Sequence, residues 1–213
     1  FRVYEYNGSG GGTLFLTTSD TNNPNSKISA PTAPTTTTPS GFTSSSFYAN
    51  WDPVDGASSY YLDVNTLSNF TGTAILSNQE TTNEYYLVNS GLTAGTTYYY
   101  RVRAYNGATS SNSNTKTAKT LCNPPVATDA TDYASPFTSF TANWNAPSGG
   151  VPDNYKLDVS TSSGFTSFVS GYQDLSVNGL SQSVTGLNGS TAYYYRVTAA
   201  TTNGESNNSN TIG

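Results

Sequence analysis

Few side chains in this 213-residue chain have chemistry to offer. It contains no His, which removes the commonest general base, the usual member of a nucleophilic triad and the commonest metal ligand. Carboxylates and one thiol remain. The densest carboxylate runs are Asp52-Pro-Val-Asp55-Gly56 and Asp129-Ala-Thr-Asp132. A dedicated calcium loop sets oxygen ligands at alternate positions and closes with a bidentate Glu, and neither run has that spacing. Asp and Gly together are ordinary turn formers. Catalysis by paired carboxylates needs two acids facing each other across a cleft, and no pair falls in one. Cys122 stands just ahead of Asn123-Pro124-Pro125 and is the only Cys, so it makes no internal disulfide. It reads as a small buried residue, an unpaired thiol or one half of an intermolecular bridge, the first being the simplest. The expectation is no catalytic residue, no cofactor and no metal site.

The rest of the composition narrows the partners. Lys and Arg number eight and are scattered, which gives no phosphate-binding stripe and argues against nucleic acid. Only 10% of residues are charged and the net charge is −5, against a usual charged share of about a quarter. Solubility must come from Thr, Ser, Asn and Gly. Such a neutral, hydroxyl-rich surface is common on secreted β-proteins, so an extracellular or cell-surface location is expected. No apolar run approaches the roughly 18 residues of a membrane span. There is no Met and no visible signal peptide, so the natural N-terminus is expected to be absent from this chain.

The elements that would position any site come from a duplication. Ser46–Trp51 (SFYANW) matches Ser139–Trp144 (SFTANW), and Tyr60–Val64 (YYLDV) matches Tyr155–Val159 (YKLDV). Ser68–Phe70 (SNF) matches Ser163–Phe165 (SGF), Gly91–Ala104 matches Gly186–Ala199, and the triplet SNT recurs at Ser113 and Ser209. The order is conserved at a near-constant offset, which marks a tandem repeat. Each unit carries short runs of period two between Gly, Asn, Ser and Pro punctuation, with no sustained 3.6-residue period. About seven short strands in some 90 residues indicate an antiparallel sandwich.

Each unit resembles a fibronectin type III domain. The resemblance rests on a Pro-rich lead-in (Pro31, Pro34; Pro124, Pro125), a strand-B Trp (Trp51, Trp144), a strand-C aromatic (Tyr60, Tyr155) and the Leu-to-Tyr spacing of Leu92–Tyr98 and Leu187–Tyr193. It implies an all-β chain of tandem seven-stranded, immunoglobulin-like sandwiches. It also implies a tyrosine corner at Tyr98 and Tyr193, and strands C and F as neighbours in one sheet. The expected boundaries are 30–120 and 121–213. The segment 1–29 aligns with the end of such a unit: Phe1–Gly8 (FRVYEYNG) resembles Tyr100–Gly107 (YRVRAYNG), so it reads as strand F, the turn Gly8–Gly12, and strand G at Thr13–Thr17. The style also resembles module arrays of secreted and surface proteins of Bacteroidota.

Strand alternation sends Tyr98, Tyr100, Val102 and Ala104 to one face of strand F, the core, and Tyr99, Arg101 and Arg103 to the other. The same alternation sets Asp63 beside Arg101 and Asp158 beside Arg196 on the outer face. These are expected as exposed cross-strand pairs, each worth about 0–1 kcal/mol. Outward Tyr61, Tyr99 and Tyr194 are isolated aromatics rather than a row. The loops Tyr105–Asn112 and Ala200–Asn208 read as small, polar, solvated turns. Ala30–Pro39, rich in Thr and Pro, reads as stiff and extended, with part of it forming strand A.

These features favour non-catalytic spacer modules of a surface adhesin or fibre-forming protein, with neighbouring modules of the same chain or identical subunits as partners. The alternative is an accessory unit of a secreted polysaccharide-degrading enzyme, with polysaccharide as partner. A lone hairpin is marginal in water. Phe1, Val3, Leu14 and Leu16 therefore need strands from elsewhere, either from an upstream part of the same polypeptide or by exchange with another subunit.

Overall fold

Alternating residues along each strand face opposite ways, so a strand written Tyr-Tyr-Arg-Val-Arg-Ala has one side fit only for a core. The computed structural model, which describes residues 29–133 and 137–213 together with Tyr6–Asn7 and Leu14–Phe15, places that side inward in both repeats. Strand β7 (Thr97–Tyr105) has a strictly alternating burial pattern, with Tyr98, Tyr100, Val102 and Ala104 all at most 2% exposed.

In the first module, β3 (Phe47–Asn50) pairs with β6 (Tyr85–Val88). The Thr/Pro segment joins their sheet through bridges Thr36–Trp51 and Ser40–Tyr48. The facing sheet runs β5 (Ala74–Thr81), β4 (Ser59–Asn65), β7, β8 (Lys116–Lys119). The second module repeats the plan. One sheet runs β13 (Ser181–Val184), β10 (Phe140–Asn145), β9 (Val126–Thr131). The other runs β12 (Leu175–Val177), β11 (Asn154–Ser160), β14 (Tyr194–Thr201), β15 (Gly204–Glu205). All pairings are antiparallel. Ahead of both modules, β1 (Tyr6–Asn7) pairs with β2 (Leu14–Phe15), Tyr6 opposite Phe15. Leu14 is thus in a strand, while Phe1, Val3 and Leu16 lie outside the described residues.

Each sandwich closes on one apolar cluster. In the first, Trp51 packs on Tyr60 with ring centroids 5.6 Å apart, and in the second Trp144 packs on Tyr155 at 5.7 Å. The corner tyrosines bond alike: the Tyr98 hydroxyl accepts the Thr93 N–H at 2.8 Å and the Tyr193 hydroxyl accepts the Asn188 N–H at 2.9 Å. Leu92 is half-buried and Leu187 buried. The next tyrosine reaches across the sandwich. Tyr100 donates its hydroxyl proton to the Thr37 carbonyl at 2.8 Å, and Tyr195 donates to that of Thr128. A phenol thus fastens the first strand of each module to its core. Burial pushes the Tyr100 phenol up to about 12, against the opposing effect of its hydrogen bond at Asn50.

The polar loops expected as solvated turns stay largely at the surface, but one serine in each and a second just beyond it are spliced into the sheet. The Ser110 and Ser113 hydroxyls accept the Ala104 and Val102 N–H groups, and Ser206 and Ser209 accept those of Ala199 and Val197, all at 2.9–3.0 Å. Each hydroxyl donates onward to the next residue's carbonyl. The following Asn clamps the first strand: Asn114 Oδ1 accepts the Thr36 N–H at 2.9 Å and Asn210 Oδ1 accepts that of Ala127 at 2.9 Å. Side chains stand in for the ladder where strand G is irregular, so no buried N–H of strand F is stranded there.

Candidate functional site

The recurring Asp and Arg meet where the register puts them: Asp63 is opposite Arg101 on β4 and β7, and Asp158 opposite Arg196 on β11 and β14. Asp63 Oδ2 is 3.1 Å from Arg101 Nε, and Asp158 Oδ2 is 2.9 Å from Arg196 Nη2. The surroundings correct the expectation of exposed pairs, because Asp63 and Asp158 are each only 7% exposed. Two features bury them. Phe70 and Phe165 lie under the guanidinium groups of Arg101 and Arg196, 4.0 Å from centroid to Cζ in both modules. The chain then turns through a positive-φ residue, Asn78 or Asp174, whose N–H donates to the carboxylate at 2.9 Å. Alternation along one strand shows which face a side chain takes, but not what another strand folds over it. The signal for Phe70 and Phe165 was present, since each ends a repeated triplet at the shared offset.

The two clusters differ in charge. Arg103 brings a second guanidinium to Asp63 at 3.3 Å and also donates to Asn78 Oδ1. In the second module Thr198 holds the place of Arg103, and its hydroxyl donates to Glu205. A polar recess of about 220 Å³ opens beside the first cluster. Among the described residues no three metal-ligating side chains come together. The outward aromatics do not make a flat row. Tyr61 meets Tyr105 at 5.6 Å and 61°, and Tyr48 meets Tyr85 at 6.0 Å and 72°, so these rings pack edge to face.

The junction between modules is the other concentration of specific contacts. Thr120 and Leu121 are woven into the end of the first module. Leu121 donates to the Thr43 carbonyl and accepts the Gly95 N–H, and the Thr120 hydroxyl bonds Thr93 and Thr96. Cys122, next along, is 1% exposed and belongs to the second core. Burial raises its thiol pKa; Lys119 opposes this and Asp153 adds to it. The turn Ser148–Val151 of the second module then meets the turn Ala94–Gly95 of the first. A Cβ on Gly150 would come within 2.5 Å of the Gly95 Cα, and both glycines have positive φ, so neither place admits a side chain. Lys119 Nζ lies 3.6 Å from Asp153, and Asn203 Nδ2 donates to the Lys119 carbonyl at 2.8 Å. Sequence reading found the linker but not this contact, because Gly95 and Gly150 are ordinary turn glycines until the modules face each other.

The family model of the fibronectin type III domain matches residues 30–119 and 128–212. None of the curated proteins matches the chain. Among solved structures it is similar to the FN1–FN3 domains of chicken CNTN1, at 18% identity over 86% of this chain and 67% of that one, with a TM-score of 0.48. It is also similar to a two-domain fibronectin type III segment of chicken tenascin, at 21% identity over 86% of this chain and 99% of that one, with a TM-score of 0.44. Domains of this kind are generally non-catalytic and are common in extracellular proteins. No helix among the described residues is long and apolar enough to cross a membrane. With two all-β sandwiches of this topology and a family match to each, the chain belongs to the fibronectin type III family as a tandem pair of its domains.

Proposed function

We propose that the tandem pair is a stiff, non-catalytic spacer within an extracellular surface adhesin or fibre, presenting or separating other parts of the assembly. The observation that carries this reading is the junction. A flexible tether between independent binders has no need of two side-chain-free positions in contact, a buried Cys and an inter-module ion pair. A spacer that transmits direction does. The partners are neighbouring modules of the same polypeptide or identical subunits. The low charge and the hydroxyl-rich surface favour an extracellular setting.

Small-angle X-ray scattering of the native chain and of Gly150→Val tests it. The native pair is expected to fit a single inter-module orientation, and the variant a broad ensemble. A native profile that already needs a freely jointed ensemble, unchanged by the substitution, defeats the reading. Saturable micromolar binding to a polysaccharide panel would instead favour the accessory-module alternative. The edge-to-face tyrosine pairs argue against that outcome.

A further inference from the structure

The two carboxylate–guanidinium clusters share a geometry and carry opposite charge. In the first module Asp63 meets both Arg101 and Arg103, two cations to one carboxylate. At the matching places of the second stand Asp158, Arg196 and Thr198, and the positive-φ residue that is Asn78 in the first is Asp174 there. The second cluster therefore has two carboxylates to one cation, and Glu205 brings a further acid up to Thr198. Nothing on the flank cancels the excess of the first. Among the described residues neither of its guanidiniums forms an ion pair with an acid other than Asp63. Glu80, opposite Tyr61 on β5, is held by the Ser59 hydroxyl at 2.7 Å. Arg103 is short of acceptors as well, since its Nε is buried and makes no hydrogen bond.

We propose that the recess beside the first cluster binds a tetrahedral oxyanion of the sulfate type. Arg101 and Arg103 line it from β7, and Ser77 and Asn78 line it from β5. Its volume of about 220 Å³ is below the roughly 300 Å³ at which drug-sized pockets begin, so it suits one small ion or one small charged group. Asp63 already fills the guanidinium edges that a planar carboxylate would use. The donors that remain come from two strands: guanidinium N–H groups, the Ser77 hydroxyl, and the Asn78 Nδ2, whose Oδ1 is taken by Arg103. An anion whose oxygens point several ways matches that set better than a flat one. The excess positive charge draws it in, on a chain whose net charge is −5. In the second module Asp174 and Glu205 repel the same ion from the equivalent place.

The test titrates sodium sulfate into the whole chain at constant ionic strength, with chloride as the exchanged ion, and follows amide and arginine Nε–H signals by NMR. The Asn78 amide and the Arg101 Nε–H are expected to move saturably, with half the change reached below about 10 mM. The Asp174 amide and the Arg196 Nε–H, in the same molecule, are expected to stay still. Asn78→Asp should weaken the response by about threefold or more, and Arg103→Thr combined with it, which copies the second module, should abolish the response. A parallel titration with methyl sulfate separates two sources of the ion. A matching response means that the site accepts an ester-borne group, and a response to sulfate alone restricts it to the free ion. No saturation at Asn78, an equal response at Asp174, or an unaltered response in the variants overturns the proposal. None of these outcomes depends on the stiffness of the junction.

Discussion

Asp63 holds Arg101 at 3.1 Å while the guanidinium Cζ of Arg101 sits 4.0 Å from the centroid of the Phe70 ring, and the same three-residue contact recurs as Asp158, Arg196 and Phe165. The carboxylate is sheltered, and it also accepts the N–H of a positive-φ residue. Its removal strands several groups at once. Asp63→Ala is expected to cost about 2–3 kcal/mol, below the range for a fully buried pair because Arg101 keeps partial access to water. Urea unfolding measures it. A double-mutant cycle between Arg101 and Phe70 should return a coupling of about 0.5–1 kcal/mol. A loss under 0.5 kcal/mol for Asp63→Ala would mean the cluster behaves as an ordinary exposed pair.

The serine splices make a second prediction. Ser113→Ala and Ser209→Ala each leave a buried strand-F N–H without its acceptor, so each should destabilise its own module by about 1–3 kcal/mol. Thr in their place should recover part of the loss. Thermal unfolding of single and double variants would show additive effects, because the two sites are in different cores.

Cys122 reports on the junction. Its thiol is buried and its pKa raised, so iodoacetamide should react with it slowly in the native chain and quickly in denaturant. In Gly150→Val the turn is forced off Gly95, and native alkylation should speed up several-fold while strand signals persist in circular dichroism. Equal rates in both proteins would show that the glycine contact does not cover the thiol.

Tyr100 sets an alkaline limit. Its folded pKa of about 12 lies above the ordinary value of 10, so the folded state favours the protonated phenol. The associated stability is fully present below pH 10 and is lost as pH rises towards 12. Melting temperature should fall across that window. Tyr100→Phe should flatten the fall while lowering stability at neutral pH by about 1 kcal/mol through the lost bond to Thr37.

What was legible in the sequence follows from what a strand repeats locally. Period-two alternation gave the inward face of β7, and alternation together with the neighbouring strands C and F that the fibronectin type III resemblance implied put Asp63 beside Arg101. Burial of that pair was not legible, because it depends on Phe70 folding over from a turn between strands. Nor was the role of Ser113 and Asn114. Ser and Asn before a strand look like loop residues, and only the irregular geometry of strand G turns them into substitutes for backbone. The Gly95–Gly150 contact is one step further removed, since it exists only between modules.

That contact has a consequence for how such a chain grows. Ser190 stands where Gly95 does in the first module, also at positive φ, and the loop after Trp51 is two residues shorter than the one that carries Gly150. Duplication copied the sandwiches but left each half of the joint in one copy only. The joint is therefore polar, and the two modules cannot exchange places. Reversing their order in a recombinant chain would set Ser190 against a loop without its counterpart, leaving both domains folded and their mutual direction unset.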